Sequence, residues 1–328
     1  MGKYILRRVL YMIPVLLAVS ILSFVIIQLP PGDYLTTKIA ELKLQMGTDA
    51  IEAEIASLRR QYGLDLPLHE RYLKWMWGLI RGDLGRSFHY NRPVNSLIGE
   101  RLALTVTISL FAVILHWLIA FPVGIYSATH QYSFFDYLWT FLGFIGISVP
   151  AFLLALLLMF SIYRVSGVMI TGLFSTEYAV APWSLGKVLD LLRHVWLPAV
   201  IVGVSGTAGL IRVLRGQLLD ELRKQYVITA RAKGLSERRL IFKYPVRLAI
   251  NPMISTIGWL LPGLISGETI VSIVLNLPTS GPMLLDALRM QDMYLAGSFI
   301  MLLSTLTVIG TLISDILLAW SDPRIRYD

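Results

Sequence analysis

Six apolar stretches, most of them long enough to cross a bilayer, constrain this chain more than any other feature. A span needs roughly 20 apolar residues to cross about 30 Å of hydrocarbon. That rule selects Val9–Leu29, Leu102–Ala128, Tyr137–Tyr163, Trp196–Ile211, Ile250–Val274 and Leu295–Trp320, the fourth being short. Charged residues are only 15% of the 328 positions and hydrophobic ones 55%, whereas soluble domains carry about 25% charged residues. The expected fold class is therefore all-α: a polytopic membrane helix bundle with about six transmembrane spans and a large extracytoplasmic insertion.

Charge sets the orientation. Lys3, Arg7 and Arg8 precede the first span, which is too long for a signal-peptide core and lacks a small-residue cleavage site, so it reads as a retained anchor. Between the fourth and fifth spans stand Arg212, Arg215, Arg223, Lys224, Arg231, Lys233, Arg238, Arg239, Lys243 and Arg247 against Asp220, Glu221 and Glu237. Six spans put both regions on the cytoplasmic, positive side, together with Arg324 and Arg326 at the C-terminus. The organisation expected is a cytoplasmic N-terminus (1–8), a first span (9–29), an extracytoplasmic helical insertion (30–101), a transmembrane core (102–320) containing a cytoplasmic loop (212–249), and a cytoplasmic tail (321–328). Within the insertion, Asp49 before Ile51, Ile55 and Leu58, with Gly63 at the end, predicts a capped amphipathic helix. A second helix is expected over His69–Ile80. The two can form a lid on the bundle or a docking surface for an external partner.

Several chemistries are excluded. The chain has no cysteine, so disulfides, thiolate metal sites and cysteine nucleophiles are absent. Its Gly-Lys pairs, Gly2-Lys3 and Gly186-Lys187, lack the upstream glycine and following Ser/Thr of a phosphate-binding loop. No zinc-protease or nucleophile-elbow motif occurs, and His69, His89, His116, His130 and His194 show no metal-ligand spacing. No catalytic residue, metal or cofactor is expected. The net charge of +8 is spread over membrane-flanking segments, which suits lipid headgroups better than nucleic acid.

The most informative stretch is Tyr226-Val227-Ile228-Thr229-Ala230-Arg231-Ala232-Lys233-Gly234-Leu235-Ser236-Glu237-Arg238-Arg239. It reads as helix, break, helix. Gly234 suits a left-handed position after a helix, Ser236 an N-cap, and Leu240, Ile241, Tyr244 and Leu248 an apolar stripe. Small Ala230 and Ala232 leave room for another surface, flanked by basic anchors. The chemistry alone also allows helices lying on lipid headgroups.

This run resembles the loop that permeases of ABC importers insert into their ATPase subunits, in the Y-V-x-T-A-R-A-K-G-L-S form of the dipeptide/oligopeptide/nickel group. Tyr226, Thr229, Ala230, Arg231, Ala232, Lys233, Gly234, Leu235 and Ser236 carry the likeness. Against the broader family pattern, Ile228 stands where Glu is expected, and Tyr244, Val246 and Arg247 replace Ile, Leu and Pro. Tyr4-Ile5-Leu6-Arg7-Arg8, Pro31-Gly32-Asp33, Tyr62-Gly63-Leu64-Asp65, Gly82-Asp83-Leu84-Gly85-Arg86-Ser87 and Asp322-Pro323-Arg324-Ile325-Arg326-Tyr327 extend it over nearly the whole chain. The resemblance implies a peptide permease of the cell inner (plasma) membrane, with nickel or oligosaccharide as other cargoes of the group. It further implies a second related permease chain in a heterodimer, two ATP-binding cassette ATPase subunits and an extracytoplasmic substrate-binding protein.

Ionisable groups inside spans are functional candidates because each costs at least about 2.5 kcal/mol in hydrocarbon. They are His116, Glu268 and Asp315. Ser266, Gly267 and Glu268 lie in a span interrupted by Gly258, Pro262 and Gly263, so they can line a polar passage or form an interhelical hydrogen bond. Ser148, Pro150 and Phe152 mark a break in the third span, beside a pore or simply a packing kink. Three scattered ionisable groups are sparse for the proton relay of an ion-coupled carrier, the principal alternative.

Overall fold

The computed structural model describes residues 2–29, 57, 59, 63, 65–255 and 269–321. In chain order the helices are α1 Gly2–Gln28, α2 Leu68–Ile80, α3 Val94–Thr129, α4 Phe134–Ser148, α5 Ala151–Ser166, α6 Thr176–Ala179 and α7 Leu185–Leu222. They continue with α8 Gln225–Ala232, α9 Glu237–Lys243, α10 Pro245–Ala249, α11 Thr269–Val274, α12 Ser280–Arg289 and α13 Met293–Ser321. Among the described residues the β structure amounts to one isolated bridge, Arg86 to Pro93. The all-α membrane bundle expected from hydropathy is what forms.

Among the described residues three helices are long and apolar enough to cross a bilayer unbroken, within α1, α3 and α13. Two bent pairs bring the number to five: α4 with α5, turned by 104°, and the two parts of α7, turned by 48° between Val204 and Gly206. The first bend falls where the sequence places it. Val149 is extended, and Pro150, with no N–H to give, starts the next helix. Most of the Ile250–Val274 stretch lies outside the described residues, as does most of the helix expected from Asp49, though Gly63 takes φ +63.

Two boundaries differ from expectation for one reason. The fourth span is not short: Trp196–Ile211 is the apolar middle of a 38-residue helix. Its ends carry Lys187, Asp190 and Arg193 on one side and Arg212 and Arg215 on the other, so hydropathy ends before the hydrogen bonding does. The loop expected from residue 212 therefore begins as helix. Likewise α3 starts at Val94, well before the apolar run that opens at Leu102.

The chain divides into two compact units, residues 1–103 with 279–306, and 104–278 with 307–328. In the first, Phe24 and Ile27 of α1 share a core with Trp75, Phe88, Val94, Leu97 and Phe299. Fully buried Asp292 fastens it, accepting hydrogen bonds from Ser87 Oγ (2.5 Å) and the His89 N–H (3.1 Å), and from the Leu295 N–H (3.2 Å) at the start of α13. Burial pushes this carboxyl above its ordinary range, against the pull of those donors.

In the second unit α4 lies along α7. Gly146 lets Val204 approach so closely that an added Cβ would come within 2.9 Å of Val204 Cγ1. Gly206 does the same for the buried ring of His116, where an added Cβ would come within 2.5 Å of His116 Cε1. Small residues at such crossings are how membrane helices pack closely. At one end of α4, the Ser133 hydroxyl accepts the Asp136 N–H (3.3 Å), and Asp136 accepts the Tyr132 N–H (3.0 Å) and both arms of Arg215 (2.8 Å each).

Candidate coupling segment

Residues 224–249 fold into a compact helical corner. Helix α8 ends at Ala232, and Gly234 takes φ +81. The Gly234 N–H donates to Arg231 O (3.0 Å) and the Leu235 N–H to Ala230 O (3.4 Å). This paired closure satisfies the last carbonyls of the helix, and it requires a left-handed residue that glycine adopts without a Cβ penalty. Ser236 occupies the N-cap position of α9 as expected, yet its hydroxyl makes no capping hydrogen bond.

The corner has its own core. Val227 and Ala230 of α8 pack against Leu240 of α9, with Tyr226, Leu235, Ile241 and Tyr244 around them. Ala230 is thus small because α9 lies on it, which corrects its placement as open space for another surface. Ala232, Lys233, Gly234 and Ser236 are exposed, and an added Cβ on Gly234 would meet nothing within 4 Å. Thr229 folds its hydroxyl back onto Gln225 O (2.9 Å). Tyr226 donates to Glu221 (2.5 Å), which also meets Lys224. Arg231, expected to reach outward, is paired with Glu237 across the turn, and that carboxylate raises its already high pKa.

The corner is tied to the long helix beneath it. Pro245, at the first position of α10, turns the chain after Tyr244. Val246 and Ala249 then join Leu210, Leu214 and Leu218 of α7 in one apolar cluster, with Ile241 against it. The corner is thus packed through α10 against α7, and Arg215 and Asp136 join α7 to α4.

Two features of this region escaped the sequence reading. Ile228 and Phe242 are large, apolar and about half exposed (47% and 51%); they fall beside, not on, the buried stripe, and that offset was the available signal. Asp136 was also missed. Its signal was Ser133-x-x-Asp136 before an apolar run, a helix-capping pattern. Elsewhere, Ser148, Pro150 and Phe152 come together at the α4–α5 bend and are all exposed on the single chain. Ser266, Gly267 and Glu268 lie outside the described residues.

A polytopic α-helical membrane protein with a folded, basic corner standing off a long bent span is the class these features define. The model of the binding-protein-dependent transport system inner membrane component matches residues 120–327, and that of the N-terminal region of such components matches residues 1–110. The chain belongs to this family of inner membrane transport components. It is 36% identical to the oligopeptide transport system permease protein AppB of Bacillus subtilis, covering all of both chains. It is 32% identical to the glutathione transport system permease protein GsiC of Salmonella paratyphi A, again over all of both. Identity to the dipeptide transport system permease protein DppB of Escherichia coli is 30%, over all of this chain and 99% of the other.

Proposed function

We propose that this chain is the permease subunit of an ATP-driven importer for di- or oligopeptides, delivered by an extracytoplasmic substrate-binding protein. The observation that carries the reading is the corner formed by α8 and α9: self-supporting, exposing Ile228, Phe242 and several cations, and joined through α10 to α7. Such a wedge fits a cleft on a separate ATPase. ATP-driven closure of two ATP-binding cassette subunits pulls the corner, and α7 with α4 moves as a lever that switches access between the two faces of the bundle. A second, related permease chain completes the pathway, and both termini lie in the cytoplasm. The binding protein docks on the outer side, where the segment from about Gly47 to Arg101 lies, Ser148, Pro150 and Phe152 border the pathway, and the chain uses no cofactor of its own. Peptide cargo is supported by the names of its oligopeptide and dipeptide relatives.

The test is reconstitution with the ATPase subunits and binding protein in nanodiscs. Ile228→Asp is expected to abolish ATPase co-purification and stimulation of hydrolysis by loaded binding protein, while the chain inserts normally. It is a cleaner probe than Ala230→Trp, which would break the corner from within. Normal assembly and stimulation in the Ile228→Asp variant would remove the coupling assignment. Mass spectrometry of ligand retained by the binding protein identifies the cargo, and nickel or an oligosaccharide there would replace peptide.

A further inference from the structure

Helix α2 has two apolar faces, and only one is covered. Tyr72, Trp75, Met76 and Leu79 enter the core of the first unit, where Trp75 stacks on Phe24 and the Tyr72 hydroxyl lies 2.8 Å from Ser20 Oγ. Leu73, Trp77 and Ile80 recur at helical spacing on another face and are 62%, 57% and 69% exposed. An exposed apolar stripe of this kind marks contact with a protein or a membrane.

The level at which α2 packs decides between them. Ser20 and Phe24 precede the last residue of α1, Gln28, by eight and four positions, or about 12 and 6 Å along the axis. Helix α1 is a membrane span. Helix α2 therefore rests on α1 inside the edge of the bilayer, not in the water beyond it.

Next to Trp77 the chemistry becomes cationic. A cavity of about 360 Å³ is lined by Lys74, Trp77, Arg81, Asp83, Arg86 and Tyr294, among others. The Arg81 guanidinium lies over the Trp77 ring at 4.4 Å. Arg86 is held by the neutral Asn91 (2.9 and 2.7 Å), and Asp83 already accepts the Gly85 N–H (2.9 Å). Three cations against one carboxylate, beside an aromatic ring and an apolar stripe, complement a lipid headgroup.

We propose that α2 is an interfacial helix seated in the leaflet where α1 ends, and that the cavity beside it holds the phosphate of an anionic phospholipid. Acyl chains cover Leu73 and Ile80, and Lys74, Arg81 and Arg86 surround the headgroup. With the N-terminus in the cytoplasm, this is the outer leaflet.

Because the chain has no cysteine, a single introduced one reports without background. Spin labels on Leu73→Cys and Ile80→Cys, in the assembled transporter in nanodiscs, are expected to be more accessible to oxygen than to a water-soluble nickel chelate. In nanodiscs of mixed phosphatidylglycerol and phosphatidylcholine, native mass spectrometry should find phosphatidylglycerol retained by the unmodified complex. Lys74→Gln and Arg81→Gln should each lower that retention roughly fivefold, with phosphatidylcholine unchanged. Labels preferring the nickel chelate, or retention unchanged in the double variant, would overturn the proposal. So would labels that become shielded only when the binding protein is added, which would make this face a protein docking surface.

Discussion

Arg215 reaches 79 residues back along the sequence to Asp136, whereas Arg231 reaches six forward to Glu237. The first pair is bidentate, with the Asp136 side chain 3% exposed; the second is about half exposed on both sides. In a buried pair the attraction and the loss of hydration nearly cancel, so its weight appears only when one partner is removed and the other is left charged. An exposed pair is screened by water and salt and contributes little either way. Like chemistry thus serves two ends. The buried pair joins α4 to α7, and the exposed pair spans the turn between α8 and α9. A third carboxylate, Asp292, is buried like Asp136 but met by hydrogen-bond donors in place of a cation.

The largest effect should come from Asp136→Ala, which leaves Arg215 unpaired and should cost about 3–5 kcal/mol, measured by thermal unfolding in nanodiscs. The double variant Asp136→Leu with Arg215→Leu should recover most of that loss; a double variant as unstable as the single would mean that the pair does more than cancel itself. Next is Asp292→Leu, which strands the Ser87 hydroxyl and two backbone N–H groups, at about 2–3 kcal/mol.

Asp292 also predicts a pH dependence. Its folded pKa is raised above the unfolded value, so the folded state holds the proton more tightly. Its contribution is complete below the ordinary carboxylate range and fades as pH rises through the raised value. Unfolding temperature should fall over that window in the parent protein, and Asp292→Asn should flatten the profile. A profile that rises instead would show that the donors outweigh burial.

Gly234→Val should cost about 1–2 kcal/mol, because a β-branched residue is forced to φ +81. The surrounding space is open, so the fault is in the backbone alone. Gly234→Asn should lose less ATPase co-purification than Gly234→Val, since Asn tolerates the left-handed region. Equal losses would move the fault from turn geometry to the exposed surface. Smallest of all, Glu237→Gln should change stability by less than about 1 kcal/mol. A larger change would break the contrast between the two arginines.

Much of this was legible in the sequence. The helix–turn–helix corner was readable because its turn is local: a glycine after a helical run, followed by an N-cap residue, specifies the conformation within a few residues. The break at Pro150 was readable for the same reason. What failed were helix lengths and partners. The ends of α3 and α7 are polar, so an apolar window stops short of them. Ala230 and Arg231 looked available to another protein because nothing in the sequence states that α9 folds back over one and Glu237 over the other.

By itself the sequence determined that this chain enters a membrane as helices, where it bends at proline, and which short segment stands outside the spans. Hydrocarbon leaves the backbone no other partners, and proline and glycine act on their immediate neighbours. Only the tertiary structure decided that Asp136 meets Arg215, that Asp292 gathers Ser87 and His89, and that α2 rests against α1. Those contacts join residues dozens to hundreds of positions apart, and their pairing depends on how helix faces pack.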